Sequence, residues 1–207
     1  MSEFRKLYLL GYSGHAYVVI DVAESRGIPI MGYFDIRESL ANPYNIPYLG
    51  SEKEGGEFKE MDRFFPSVGD NLLRKSMVDF IRKQGWQEIT LIDASAQISP
   101  KAKILESTLV GPKALINSGA WIGEGCIINS GAIVEHECQV GNFTHLAPGT
   151  ILAGNVTIGH SCFLGAGTVI KQGVVLGDQV VIGAGTVVLN DIPSGETWVG
   201  NPSRKLR

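Results

Sequence analysis

Cysteine is scarce in this 207-residue chain: there are three, an odd number. That argues against a secreted disulfide framework. Proline is ordinary at nine, which sets aside collagen and Pro/Gly-rich disorder. Positive charge is not in excess, with 18 Lys and Arg against 21 Asp and Glu. An electrostatic grip on DNA or RNA is therefore not expected. No apolar run approaches the ~20 residues that span a bilayer, so membrane insertion is not expected. The short apolar stretch around Leu7–Leu10 falls short of a signal peptide. The expectation is a soluble cytoplasmic protein, long enough for one large domain or two small ones. What the chain has in abundance is glycine, 26 residues, where roughly 7 % is usual.

Seventeen of those glycines follow residue 98, and they sit within a repeat. Aliphatic residues recur every six positions from Ile98 through Ile104, Val110, Ile116 and onward to Val188, sixteen in succession without a slip. Four residues after each comes a small or β-branched one, such as Ala114, Ala120, Thr144 or Thr168. A period of six fits neither a helix nor a hairpin array; it fits a parallel β-helix of hexapeptide repeats, three short strands to an 18-residue coil. Aliphatic and small residues point inward, while polar residues and glycine turn the corners. Cys126, Cys138 and Cys162 all occupy the small inward position, so they read as core residues rather than as a metal or redox site. No two His or Cys share a plausible metal-ligand spacing, and no metal is expected.

Side chains alternate along a strand, so each residue before an inward aliphatic one points outward. One outward face reads Leu115, Ile133, Ile151, Val169, Val187; another reads Leu109, Ile127, His145, Phe163, Val181; the third is more polar. A monomer is not expected to expose two such apolar stripes. A cyclic homo-oligomer, a homotrimer first, is expected to bury both.

The first ninety residues have a different texture. Strands are expected over 6–10, 28–34, 63–68 and 88–92, a helix over 16–26 and another over 71–84 with Leu72, Leu73, Val78 and Ile81 on its apolar side. Segment 38–60 is rich in turn formers and charge. Alternating strands and helices indicate a small parallel α/β domain, Rossmann-like. The expected domains are residues 1–92 and 98–207, joined by 93–97.

Two loops of the α/β domain follow a strand and open a helix. Gly11-Tyr12-Ser13-Gly14-His15 does not match G-x-G-x-x-G, but a helix N-terminus in that place favours phosphate, and Asp35 closes the next strand where an acid meets a ribose or base. The plainer alternative is a tight turn with a helix-capping serine. Gly69-Asp70-Asn71 lies in the equivalent place, with Arg74 one turn on to reach a phosphate; the alternative there is simple helix capping.

In the repeat, His136 lies at a corner between Glu135 and Glu137. A histidine held by a carboxylate through one ring nitrogen presents the other as a base near neutral pH. One coil later stands Gly154, whose bare backbone N–H is placed to meet developing negative charge. Base and oxyanion donor at that spacing suit acyl transfer. The alternative for Gly154 is a tight corner and nothing more. Pro148-Gly149, Ala166-Gly167 and Ala184-Gly185 stack at 18-residue intervals, leaving a shallow groove for a long thin ligand or a featureless corner. His160 reads as surface.

The hexapeptide repeats resemble those of left-handed β-helix acyltransferases. More narrowly, Gly11-Tyr12-Ser13-Gly14-His15, Gly69-Asp70-Asn71, Val134-Glu135-His136-Glu137, Phe143-Thr144-His145, Ala153-Gly154-Asn155 and Gly200-Asn201-Pro202 resemble one subfamily. It holds the UDP-4-amino-sugar N-acetyltransferases of the bacillosamine type, the perosamine N-acetyltransferases and sialic-acid O-acetyltransferase relatives. The likeness covers essentially the whole chain. It implies a homotrimer using acetyl-coenzyme A and a nucleotide-sugar, with a UDP-4-amino-4,6-dideoxy sugar as the acceptor. It further implies His136 as general base, Glu137 as its orienting partner and Gly154 N–H as oxyanion donor. Nucleotide-sugar contacts would fall to Gly11, Ser13, Gly14, His15, Asp35, Gly69, Asn71, Arg74 and Asn129. Coenzyme contacts would fall to His145, Gly154, Ala166, Ala184, Asn201, Pro202 and Arg204. Two positions depart from the pattern: Tyr12 replaces a small residue, and Asp70 stands where Asn is common. Sugar O-acetylation of the sialic-acid type and a non-catalytic trimeric binding module are the alternative functions.

Overall fold

The structure, a computed structural model, describes residues 6–51 and 58–206. Residues 52–57, part of the turn-rich segment, and the extreme ends of both expected domains (1–5 and 207) lie outside the described residues.

The chain opens with β1 (Leu7–Leu10), α1 (Gly14–Ser25), β2 (Ile30–Phe34), β3 (Arg63–Pro66) and α2 (Asn71–Lys83). The three strands form a parallel sheet in the order β2-β1-β3. Because β2 and β3 lie on opposite sides of β1, the crevice at the carboxyl end of β1 is the switch point where open α/β sheets bind ligands. Both glycine-bearing loops emerge there. Gly11 is required by its surroundings: its φ is +90°, and a Cβ would stand 2.5 Å from Val68 Cγ1.

The expected strand over 88–92 divides. Glu88 bridges Phe64 in the α/β domain, whereas β4 (Leu91–Ile92) pairs with Leu109–Val110. Leu91 thus begins the first coil of a left-handed parallel β-helix. Its short strands stack into three parallel sheets with partners 18 residues apart: the first runs through Leu91, Leu109, Ile127 and His145, the second through Leu115, Ile133 and Ile151, and the third through Trp121, Gln139 and Thr157. The inward aliphatic and small residues from Val110 to Ile192 form one buried core. The three cysteines are buried and free within it. The far end is closed by Thr197–Val199, which pairs with Val181–Ile182 and then antiparallel with Arg204–Lys205.

The apolar face on the first sheet, Leu109 to Val181, is not awaiting a subunit over its whole length. Leu109 and Ile127 are fully buried in a core shared with Leu9, Ala16 and Val19 of the α/β domain. That domain packs on this face, and the same contact buries His145. Only Phe163 and Val181, further along, remain exposed. The second face, from Leu115 to Val187, stays half-exposed along its length. The expectation that a subunit buries both stripes is thus corrected for the first: a domain of the same chain covers its near half.

A second correction concerns α2. Leu72 and Leu73 are exposed, while Arg74, Val78 and Ile81 are fully buried. These three lie at i, i+4 and i+7, one stripe of a helix. Ile81 packs into the α/β core with Leu10, Phe34 and Phe64, while Arg74 at the other end of the stripe reaches the β-helix carbonyls of Gly125 and Phe143.

Candidate active site

The half that carries the two glycine loops lies at the carboxyl end of β1. Asp35 accepts from the backbone N–H of Tyr12 at 2.9 Å and of Ile36 at 2.7 Å, which ties the loop after β1 to the end of β2. Ser13 occupies the N-cap of α1 in extended conformation, yet its side chain makes no capping bond. The alternative of a helix-capping serine is therefore not met, and Ser13 offers the first N–H groups of α1 no side-chain acceptor. A cleft of about 260 Å³ opens beside them, bounded by Gly11, Ser13, Asp35, Val68, Leu73 and Met77. The exposure of Leu73 is explained by that cleft. Gly14, first residue of α1, has open space where a Cβ would be. Tyr12 is buried, stacks on Tyr33 at 4.1 Å between centroids and bonds Asn42 through its hydroxyl, so its ring belongs to the domain core.

The loop after β3 does a different job from the one expected. Asp70 caps α2 by accepting from Leu73 N–H at 2.8 Å. Asn71 Nδ2 donates to the carbonyls of Ser161 and Cys162, docking the domain onto a corner of the β-helix. Arg74 does not reach a ligand. It is 0 % exposed and donates to the carbonyls of Gly125, Gly69 and Phe143 and to Asn71 Oδ1. Its burial brings its pKa down to about 10. The phosphate role expected for Arg74 is replaced by an interdomain bolt, because every donor is already spent on protein oxygens.

His15 and His145 meet where the domains join, 6.1 Å apart between ring centroids. His145 Nδ1 faces the Gly69 carbonyl at 3.4 Å, and Nε2 faces the Asn129 amide nitrogen at 3.3 Å. A carbonyl on one side and an amide donor on the other select the neutral tautomer with the proton on Nδ1. Burial, then the Arg74 charge, hold its pKa down to about 3; the same two causes hold His15 down to about 4. His15 Nε2 is buried without a protein partner. Gly69, His145, Phe163 and Leu72 border an apolar pocket of about 590 Å³ next to this junction.

The His136 corner lies elsewhere. His136, exposed, sits at the corner between the second and third sheets. Its Nδ1 is 3.2 Å from Glu137 Oε2, so Nδ1–H donates to the carboxylate and Nε2 carries the lone pair. Glu137 adopts φ +62°. The left-handed region costs a side chain roughly 1–2 kcal/mol, and the equivalent corner position holds glycine at Gly119 and Gly173. A carboxylate is held there against that bias. Gly154 underlies the ring: a Cβ on it would stand 2.6 Å from His136 Nε2 and Cε1. Its neighbours Ala153 and Asn155 donate to Ile170 and His136 carbonyls, while no backbone acceptor among the described residues takes the Gly154 N–H. His160 is an exposed corner residue that accepts from Asn142 N–H at 3.0 Å.

Ala166 and Ala184 line an exposed corner between the first and second sheets. Gly167 and Gly185 beside them have open space on their Cβ side, so the column is a shallow trough of small residues. Asn201, Pro202 and Arg204 lie exposed on the terminal hairpin, Asn201–Pro202 being a cis peptide. Among the described residues no group of His, Cys, Asp or Glu is arranged to hold a metal ion, and no helix is long and apolar enough to cross a membrane.

Comparisons with known proteins follow this division. Residues 6–81 match the family model described as the PglD N-terminal domain, and residues 87–191 match the GMPPB C-terminal domain. The acetyltransferase domain of PglB from Neisseria gonorrhoeae superposes with a TM-score of 0.92 at 32 % identity, covering 98 % of this chain and all of that one. It has also been solved in complex with acetyl coenzyme A. PerB from Caulobacter crescentus, in complex with CoA and GDP-perosamine, gives 0.89 at 31 % identity over 98 % of this chain and 97 % of that one. WeeI from Acinetobacter baumannii gives 0.88 at 25 % identity over 97 % and 99 %.

Proposed function

The chain belongs to the hexapeptide-repeat family of sugar N-acetyltransferases, and from that membership we propose that it transfers acetyl from acetyl-coenzyme A to the amino group of a nucleotide-linked 4-amino-sugar. A UDP-4-amino-4,6-dideoxy sugar is the first acceptor to assay and a GDP-linked one the second. The observation that carries the reading is the trio His136, Glu137 and Gly154. The coenzyme supplies an activated acetyl thioester. Nε2 of His136 accepts the proton that the attacking amine sheds, and Glu137 stabilises the imidazolium that results. Gly154 N–H supports negative charge growing on the carbonyl oxygen. The trough of Ala166 and Ala184 and the terminal hairpin are assigned to the coenzyme. The loop after β1 and Gly69 in the loop after β3, together with His15 and Asn129, are assigned to the nucleotide-sugar, and His145 to the coenzyme.

These two halves do not belong to one site in one chain. The α/β domain rests on the first sheet, and His136 stands at the corner shared by the other two. In a three-sided prism that corner lies opposite the first sheet. We therefore assign the complete site to two copies, the nucleotide loops of one meeting His136 of its neighbour in a homotrimer. The half-exposed stripe from Leu115 to Val187, adjoining the His136 corner, supports such packing. Because both co-substrates are soluble metabolites, we read the reaction as a cytoplasmic step in the making of a modified glycan precursor.

The test is His136→Ala assayed with acetyl-coenzyme A and a panel of UDP- and GDP-linked amino-sugars. The wild type is expected to acetylate one of them, and the variant to lose at least a hundredfold in kcat, within the range of general-base contributions of roughly 10²–10⁴. Full transfer by a folded variant would remove His136 from the mechanism.

A further inference from the structure

Along the corner between the third and first sheets, backbone amides are capped from the coil that follows. Glu124 N–H donates to Asn142 Oδ1 at 3.2 Å, Asn142 N–H to His160 Nδ1 at 3.0 Å, and His160 N–H to Asp178 Oδ1 at 2.7 Å. The residue one coil on supplies each cap as a side-chain acceptor. At the His136 corner that device is impossible. The residue one coil on is Gly154, which has no side chain and has to lack one for the imidazole to lie over it.

A different group takes the task. Glu135 Oε2 accepts from His136 N–H at 3.3 Å and from Asn117 Nδ2 at 2.9 Å. Asn117 occupies the same corner one coil earlier, and its own backbone is fixed by donation to the Val134 carbonyl at 2.9 Å. Below, the residue equivalent to Glu135 is Ala153. The two glutamates that flank His136 therefore have separate duties. Glu137 holds the ring through Nδ1, and Glu135 holds the backbone from which the ring hangs.

Resting on the acetyl-transfer reading above, we propose that Glu135, braced by Asn117, is a positioning residue for the base: it replaces the cap that Gly154 cannot give and so keeps His136 Nε2 over the Gly154 N–H. Its contribution is geometric, through hydrogen bonding, and does not depend on its charge. An amide oxygen accepts from both donors as well as a carboxylate oxygen does.

The experiment compares Glu135→Ala, Glu135→Gln and Asn117→Asp in the full-length protein, with His136→Ala alongside. Glu135→Ala is expected to lower kcat on the order of tenfold or more, since small misplacements of a catalytic group reach ~10²-fold, with KM for acetyl-coenzyme A unchanged. Glu135→Gln is expected to keep kcat within about threefold and to leave the pH–rate profile in place. Asn117→Asp, which removes the brace and sets one carboxylate against another, is expected to behave like Glu135→Ala. Wild-type kcat in Glu135→Ala would overturn the proposal. So would a Glu135→Gln variant as impaired as Glu135→Ala with a displaced profile, which would make the effect one of charge. If His136→Ala itself remains active, the acetyl-transfer reading has failed; if it is inactive while Glu135→Ala is not, the positioning role alone has failed.

Discussion

The Gly154 α-carbon is the floor on which the His136 imidazole lies, with a Cβ there only 2.6 Å from Nε2. The Gly154 backbone is outside the left-handed region, so alanine meets no conformational penalty. The group it strikes is the far end of an exposed, rotatable side chain. Gly154→Ala is therefore expected to leave the melting temperature within a few degrees, since ~1 kcal/mol moves Tm by only ~2–4 °C in a chain of this size. It is expected to lower kcat at least a hundredfold, because the ring must swing off its acceptor position. Melting curves and steady-state kinetics on the same preparation check both halves. A variant with full activity would show that the ring need not lie over Gly154.

The repeat was legible because a period of six admits few architectures, and the stacked register follows from counting in eighteens. The same counting placed Gly154 on His136. The burial of Arg74 and of His145 by a domain of the same chain was not legible, because it depends on which face of the β-helix the α/β domain covers, and no local pattern encodes that packing. A signal was present in α2, where Arg74 keeps phase with Val78 and Ile81. A charge in phase with the apolar stripe marks a buried, hydrogen-bonded cation rather than a ligand contact. The strand at 88–92 was expected as one element of the α/β domain, but it divides, Glu88 bridging Phe64 there and Leu91–Ile92 joining the β-helix, since a two-residue rung reads the same in either sheet.

The buried pair His15 and His145 makes stability depend on pH. Folding holds their pKa values near about 4 and about 3, against ~6.5 in the unfolded chain. Over the interval between, the unfolded state binds more protons, so stability rises with pH. Their contribution is complete above pH ~6.5 and is lost progressively as pH falls through ~4. Going from pH 7.5 to 5 is expected to remove up to roughly 4 kcal/mol from the unfolding free energy. Denaturant titrations at fixed protein concentration measure it. His145→Gln is expected to reduce the slope by about half. A flat stability profile between pH 7 and 5 would mean that the junction admits protonated histidine.

The assignment of the site to two copies has a quantitative consequence for mixtures of impaired variants. One partner is His136→Ala, which leaves the nucleotide loops intact. The other is Ser13→Asp. Ser13 makes no capping bond, and aspartate is among the best N-caps, so this change favours α1 while setting a negative charge where a pyrophosphate would bind. On its own it is expected to raise KM for the nucleotide-sugar at least tenfold and to leave KM for acetyl-coenzyme A unmoved. In oligomers refolded from an equal mixture, a site works when the base comes from a Ser13→Asp chain and the nucleotide loops from a His136→Ala chain. Random assembly puts that combination at about one quarter of the interfaces of a closed ring. At nucleotide-sugar concentrations well below KM, where Ser13→Asp alone works at about a tenth of the wild-type rate or less, about one quarter of wild-type activity is therefore expected from the mixture. If both halves belonged to one chain, every site would carry a defect and mixing would restore nothing.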